Sequence, residues 1–274
     1  MTAPNPSPKP SSGTALKLRL SVLMCIHNEE ARLRPCLERL GFADELVIVL
    51  DRCTDGSRAI AAEFVERVGA GRLVEGKYEL EGTRRNAAIE AATGDWLLEV
   101  DADEHIPPAL AMEIRAIVAS SPCDWHALRV DNFIGERLVR HGWGAAFGTT
   151  QVSRLFRKNA KHWGDQRVHP KVKLRGQGGL VLATPFLHYV DRDISDMIRR
   201  LDRYSDARAG DLRASGQIGR EETLGRNLRR VLSRFYKCYV LRRGYREGEW
   251  GVLIALMAGL YPLLSYLKAK LEKK

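Results

Sequence analysis

Strand-length apolar runs alternate with helix-period segments through the first 120 residues, and this alternation constrains the fold more than any other feature. Leu18 to Ile26 (LRLSVLMCI) is the first run, and His27-Asn28-Glu29-Glu30 follows it. Leu33, Leu37 and Leu40 then recur at helical spacing. Glu45 to Leu50 (ELVIVL) is almost wholly apolar and β-branched, as a strand buried on both faces must be. It ends at Asp51, and the turn-rich Arg52 to Ser57 leads into a helix to about Val68. Thr83 to Ala92 reads as a helix, Trp96 to Val100 as a strand, and Pro107-Pro108 opens another helix to about Ser120. Such alternation predicts βαβ units and a parallel sheet. Sheets of this kind bind ligands beyond the carboxyl ends of their strands. Three strands end in polar groups there: His27-Asn28-Glu29, Asp51, and Asp101-Ala102-Asp103.

The chain has 274 residues, long enough to bury a full core without disulfides or structural metal. Its cysteines, at 25, 36, 53, 123 and 238, are odd in number and form no C-x-x-C pair, which fits a reducing cytosol. Residues 1–15 carry four prolines and no apolar core, so a disordered tail rather than a signal peptide is expected. No G-x-G-x-x-G follows the first strand, and neither a P-loop nor a G-x-S-x-G motif occurs. A dinucleotide dehydrogenase, a P-loop NTPase and a serine hydrolase are therefore poor readings.

Two carboxylates two residues apart at a strand end, Asp101 and Asp103, can both reach one Mg²⁺ or Mn²⁺ shared with substrate phosphates. A solvated turn capping the next helix would look the same. Asp51 is similarly open: it caps a turn, or hydrogen-bonds a nucleotide base or ribose.

Taken in order, LMCIHNEE (23–30), ELVIVLDRCTD (45–55), GTRRN (82–86) and GDWLLEVDADE (94–104) closely resemble the inverting family-2 glycosyltransferases. The nearest likeness is to the lipopolysaccharide core β-glucosyltransferase group. Arg154-Leu-Phe-Arg157, Arg167-Val-His169 and Leu187-His188-Tyr189 resemble that group's later motifs. The resemblance implies an α/β fold of the GT-A (Rossmann-like) type, a mostly parallel sheet with flanking helices. It places Asn28 and Glu29 in the nucleotide pocket, Asp51 on the base or ribose, and Arg85 beside the diphosphate. It gives Asp101 and Asp103 to the metal that bridges the diphosphate, with His188 as a further ligand or a packing residue. One departure is Arg52-Cys53, where the group commonly has small residues.

An inverting transferase needs a carboxylate to take the acceptor's proton. The group often shows V-H-E where this chain reads Val168-His169-Pro170, so the expected Glu is absent. Asp165 is the nearest replacement, followed by His169 and then Glu104.

Residues 191–274 hold 19 basic and 11 acidic residues and read as a helical extension to a 16–190 transferase domain. Arg220 to Arg246 alone carries nine basic and two acidic residues, and Gly251 to Leu267 has no charge. The uncharged run is short for a span and contains Pro262, so it is expected either to lie at an anionic membrane interface or to pack on the core. The resulting expectation is a cytoplasmic enzyme, peripheral on the inner membrane face. It would move a hexose from a UDP-sugar to a glycolipid-type hydroxyl, using a divalent metal. The rivals are a nucleotidyltransferase and a basic nucleic-acid-binding protein. Against the latter, the charge lies away from the D-x-D and no nucleic-acid module is recognisable.

Overall fold

The computed structural model describes residues 17–144, 148–165, 171–216 and 218–272. The expected 1–15 tail lies outside them. The elements run β1 (Leu20–Ile26), α1 (Glu30–Leu37), β2 (Glu45–Asp51), α2 (Ser57–Val68), β3 (Gly71–Gly76), α3 (Glu81–Ala91), β4 (Trp96–Glu99), β5 (Glu104–His105) and α4 (Pro108–Ser120). Then come β6 (Trp125–Ile134), β7 (Arg137–Val139), β8 (Gln151–Arg157), β9 (Lys161–Trp163), β10 (Val172–Leu174) and β11 (Phe186–Asp191). Three helices follow: α5 (Ile194–Ala214), α6 (Leu224–Tyr236) and α7 (Glu249–Leu271).

One sheet is ordered β3-β2-β1-β4-β8-β6-β11-β5, with β7 on the side of β6. The first four strands are parallel, as the alternation predicts, while β8 joins β4 and β6 antiparallel. Alternate residues build two cores on the two faces, as the period of a strand requires. Leu20, Val22, Met24 and Ile26 of β1, with Leu46, Ile48 and Leu50 of β2, pack in the layer holding residues of α1, α2 and α4. Leu23, Val47 and Val49 point into the other layer, with Ala88 and Ile89 of α3.

The C-terminal helices share a core with the far end of the sheet. Ile254, Ala255, Ala258 and Tyr261 of α7 cluster with Met197 and Leu201 of α5 and with Ile134, Val139 and Val190. The uncharged run Gly251 to Leu267 lies within a helix that packs on this core along one side, while Leu256 stays exposed. The helix continues through Pro262, which is itself buried. Gly251 is required for this docking, since a Cβ there would sit 1.8 Å from the Gly244 carbonyl oxygen.

Candidate active site

The three polar strand ends converge. Asn28 adopts a left-handed backbone (φ 55°), and its Oδ1 accepts the Thr54 N–H at 2.8 Å, tying the loop after β1 to the loop after β2. The Glu29 N–H donates to Ser57 Oγ at 2.9 Å. Asp51 is buried and accepts from Tyr78 N–H (3.1 Å) and Arg52 Nε (2.9 Å), with Arg84 Nη1 at 3.4 Å. Burial raises its pKa, but these donors outweigh burial and hold the carboxyl below the ordinary range. The unusual Arg52 thus has a place: its left-handed backbone (φ 51°) folds the guanidinium back over Asp51 and onto the Tyr78 carbonyl.

The two carboxylates of the D-x-D have different neighbours. Asp101 accepts from Arg154 Nη2 at 2.6 Å and lies 3.0 Å from Arg85 Nη1. Burial works against ionisation, yet the two guanidiniums keep Asp101 ionised well below the usual carboxylate range. Arg154 also bonds Glu104 Oε1 at 2.5 Å and lies 3.8 Å from Glu99. Glu99 is held in turn by the Lys161 ammonium and by Trp163 Nε1 at 2.6 Å. Three carboxylates and three cations thus lock the strand end from below. Three residues with sequence-based roles belong to this network. Asp101, expected on the metal, is paired with Arg85 and Arg154. Arg85, expected beside the diphosphate, pairs with Asp101 and Glu81 over the Trp163 ring, and it is Arg84 that lines the cavity. Glu104, a candidate base, is 3% exposed, with Arg154 on one oxygen and the Asp101 N–H on the other.

Asp103 does face open space. Its Oδ2 lies 3.6 Å from His188 Nε2 and 3.5 Å from Arg32 Nη1. Strand pairing explains the first contact, because β11 runs beside β5 with His188 opposite Glu104. On its other edge β11 pairs with β6, where His188 lies opposite Asn132. The Asn132 amide donates to the Thr149 carbonyl (2.9 Å), so its Oδ1 is left to accept from His188 Nδ1 at 3.0 Å. With Nδ1–H so engaged, Nε2 is the nitrogen that faces Asp103, and a neutral ring would offer its lone pair there, as a metal-ligating histidine requires. Burial lowers the imidazole's pKa, but Asp103 and the acidic neighbours behind it outweigh that and hold it above the ordinary value. Among the described residues no three His, Cys, Asp or Glu side chains form a ready-made cage. A carboxylate and an imidazole nonetheless fit Mg²⁺ or Mn²⁺, which take their remaining ligands from substrate phosphates and water.

Asp103 stands where two cavities meet. A polar one of about 700 Å³ is lined by His27, Glu29, Arg84 and, from α5, Arg199, Arg203 and Tyr204. A more apolar one of about 300 Å³ is lined by Ala31, Pro35, His105 and Tyr189. Both share Arg32, Asp103, Asp191 and Arg192. Glu29 is pushed above the ordinary carboxyl range, first by burial and then by Asp103. The α5 residues escaped sequence reasoning, which assigned the basic C-terminal third to a surface. A signal was present in Asp191-Arg192, the polar end of β11 at the same edge as the other strand ends. Arg200 binds Asp191 through both oxygens (3.0 and 2.7 Å) and so pins α5 over the site. Asp165 is exposed, two residues beyond β9, and lines neither cavity. Its loop is docked on α3, where Asn86 exchanges hydrogen bonds with the Trp163 backbone. His169 lies outside the described residues.

A parallel four-stranded half-sheet, a D-x-D just past β4 at its inner edge and a polar cavity beside it define a glycosyltransferase of the GT-A architecture. The chain belongs to glycosyl transferase family 2, whose family model matches residues 21–168. It is 26% identical to the lipopolysaccharide core biosynthesis glycosyltransferase LpsC of Rhizobium meliloti, over 92% of each chain. Its fold resembles that of the mannosyltransferase PcManGT of Pyrobaculum calidifontis, solved with GDP-Man and Mn²⁺ (TM-score 0.54, 14% identity, 95% of this chain and 89% of that one). It also resembles S. aureus TarS 1–349 in complex with UDP (TM-score 0.50, 13% identity, 92% and 90%).

Proposed function

We propose that this glycosyltransferase moves a hexose, with inversion, from a UDP-sugar to a hydroxyl of a glycolipid or lipopolysaccharide-core-type acceptor, in the cytosol at the inner membrane face. The observation that carries the reading is Asp103 with His188 Nε2 at 3.6 Å, set where the two cavities join. The polar cavity suits a nucleotide diphosphate: Arg84 and the α5 arginines supply positive charge, and Asp51, paired with Arg84, is proposed for the base or ribose. The apolar cavity suits the acceptor. A full-length likeness to a protein named for lipopolysaccharide core biosynthesis supports that acceptor class. All five cysteines are free, in keeping with a reducing compartment.

Asp103 and His188 are the residues that would hold the divalent metal, which supplies charge neutralisation for the departing diphosphate. The chain's own groups do the rest. Arg85 and Arg154 fix the loop through Asp101, and Asn132 sets the His188 tautomer. The acceptor hydroxyl attacks the anomeric carbon as the bond to the nucleotide diphosphate breaks, and its proton passes to a carboxylate. Asp165 is the proposed base, with His169, four residues further on, as the runner-up.

The test is transfer and Mn²⁺ binding measured side by side. Asp103→Asn and His188→Ala should abolish metal-dependent transfer and weaken Mn²⁺ binding in the presence of UDP, with the fold intact by circular dichroism. Full activity in excess chelator, or in Asp103→Asn, refutes the assignment. Asp165→Asn should lower turnover with little change in donor affinity. If it does not while Glu29→Gln abolishes turnover, the base is Glu29, whose raised pKa and position on the cavity wall suit it to that task.

A further inference from the structure

Leu224, Leu228, Leu232 and Tyr236 recur every fourth residue along α6 and therefore form one slowly drifting stripe. They are 47%, 49%, 73% and 54% exposed. The adjoining side of the helix, about 60–100° round from Leu228, meets the body of the protein: Asn227 is fully buried, and the backbone of Val231 lies against Gly259 of α7. The patch continues past the helix through Val240, Leu241 and Tyr245, all exposed. No acidic residue occurs between Leu224 and Arg246, while eight lysines and arginines do. Six of these, Arg226, Arg229, Lys237, Arg242, Arg243 and Arg246, are exposed.

Three contiguous leucines on a helix face are costly to leave in water, and a monomer normally covers such a face. The surrounding charge says what covers it. Cores of protein–protein interfaces are depleted in charge, whereas here cations sit directly beside the apolar residues, as in Leu228-Arg229 and Leu241-Arg242-Arg243. The stripe is also a convex helix surface, not a groove. A helix lying in the plane of an anionic bilayer has this arrangement, with its leucines among the acyl chains and its long cations snorkelling to the headgroups.

We propose that α6 and the turns after it, residues 224–246, are a docking face for an anionic lipid bilayer. The idea rests on the proposed membrane-linked acceptor only for its purpose, and it is tested without donor or transfer. The full chain is floated with phosphatidylcholine vesicles and with vesicles containing about 30 mol% phosphatidylglycerol. The expected result is recovery with the anionic vesicles, weakened by salt. Leu228→Ser/Leu232→Ser should reduce partitioning about tenfold at low salt, since both side chains are exposed and no core is lost. Arg229→Gln/Arg243→Gln/Arg246→Gln should lose the salt-sensitive part while keeping its circular dichroism spectrum. Failure of the intact chain to float on anionic vesicles at low salt overturns the proposal. So does a leucine variant that floats like the parent, or a dimer in solution that Leu232→Ser dissociates, because the stripe would then be covered by a second copy. Loss of transfer with flotation intact would instead indict the catalytic reading.

Discussion

Replacing Arg154 by Met removes the central cation from beneath the D-x-D. The side chain is 9% exposed and touches three carboxylates, Glu99, Asp101 and Glu104. Afterwards Arg85 still serves Asp101 and Lys161 still serves Glu99, but Glu104 has no cation left among its contacts. Removing one partner of a buried ion pair costs about 3–5 kcal/mol, because the other charge stays buried. For a chain of this size that is a fall in Tm of roughly 6–20 °C. The pH dependence follows from Glu104, already pushed above the ordinary carboxyl value by burial, against the pull of Arg154. Without Arg154 the folded state binds a proton that the unfolded state has released. Stability then falls as pH rises from the unfolded carboxyl value of about 4.3 through the higher folded one. The defect of Arg154→Met should therefore be largest at neutral pH and shrink at pH values near 5. Adding Glu104→Gln should recover most of it, since a neutral amide of the same shape needs no counter-charge. Urea unfolding of the three proteins at neutral and mildly acid pH measures all of this. A cost below about 1 kcal/mol at neutral pH, or a double variant no better than the single one, refutes the claim that Arg154 balances a buried charge.

Gly82→Ala places a methyl group 2.0 Å from the Gly164 carbonyl oxygen, between two backbones that cannot give way cheaply. It should displace the loop after β9 and lower turnover by at least about tenfold with a smaller effect on Tm, because the loop is peripheral to the core; parent-like kinetics would show that the loop is not part of the site. Among the described residues Arg203 has no ion-pair partner and it lines the polar cavity, so Arg203→Gln should weaken UDP-sugar binding roughly five- to tenfold, the value of about 1 kcal/mol for one exposed charge-assisted contact. Unchanged binding by calorimetry would remove α5 from the donor site.

The parallel half of the fold was legible because burial on both faces leaves a periodic trace. ELVIVL became β2, the Ser57–Val68 helix has the expected bounds, and Pro107-Pro108 opens α4. β3 (GRLVEG) was not legible. It is an edge strand with no fully buried residue, so nothing in its composition separates it from a loop. The site divides in the same way. Spacing brought Asp101 and Asp103 to one strand end, and the Leu187-His188-Tyr189 motif pointed to His188. That Asp101 meets Arg154, 53 positions further along, depends on the antiparallel pairing that brings β8 beside β4. No local pattern carries that information.

The C-terminal third shows the same limit in a second form. Hydropathy singles out Gly251 to Leu267 because it sums apolar content without direction, and a helix apolar on all sides is what a core requires. α6 has a polar average because arginines separate its leucines, yet Leu224, Leu228, Leu232 and Tyr236 lie along one exposed side. Direction, not content, decides which helix can meet a surface. A deletion of residues 251–274 would consequently say nothing about attachment, since it removes the helix on which α5 and α6 are packed and, with α5, the arginines over the active site. Point changes on the outer face of α6 leave that packing untouched, and only they separate docking from folding.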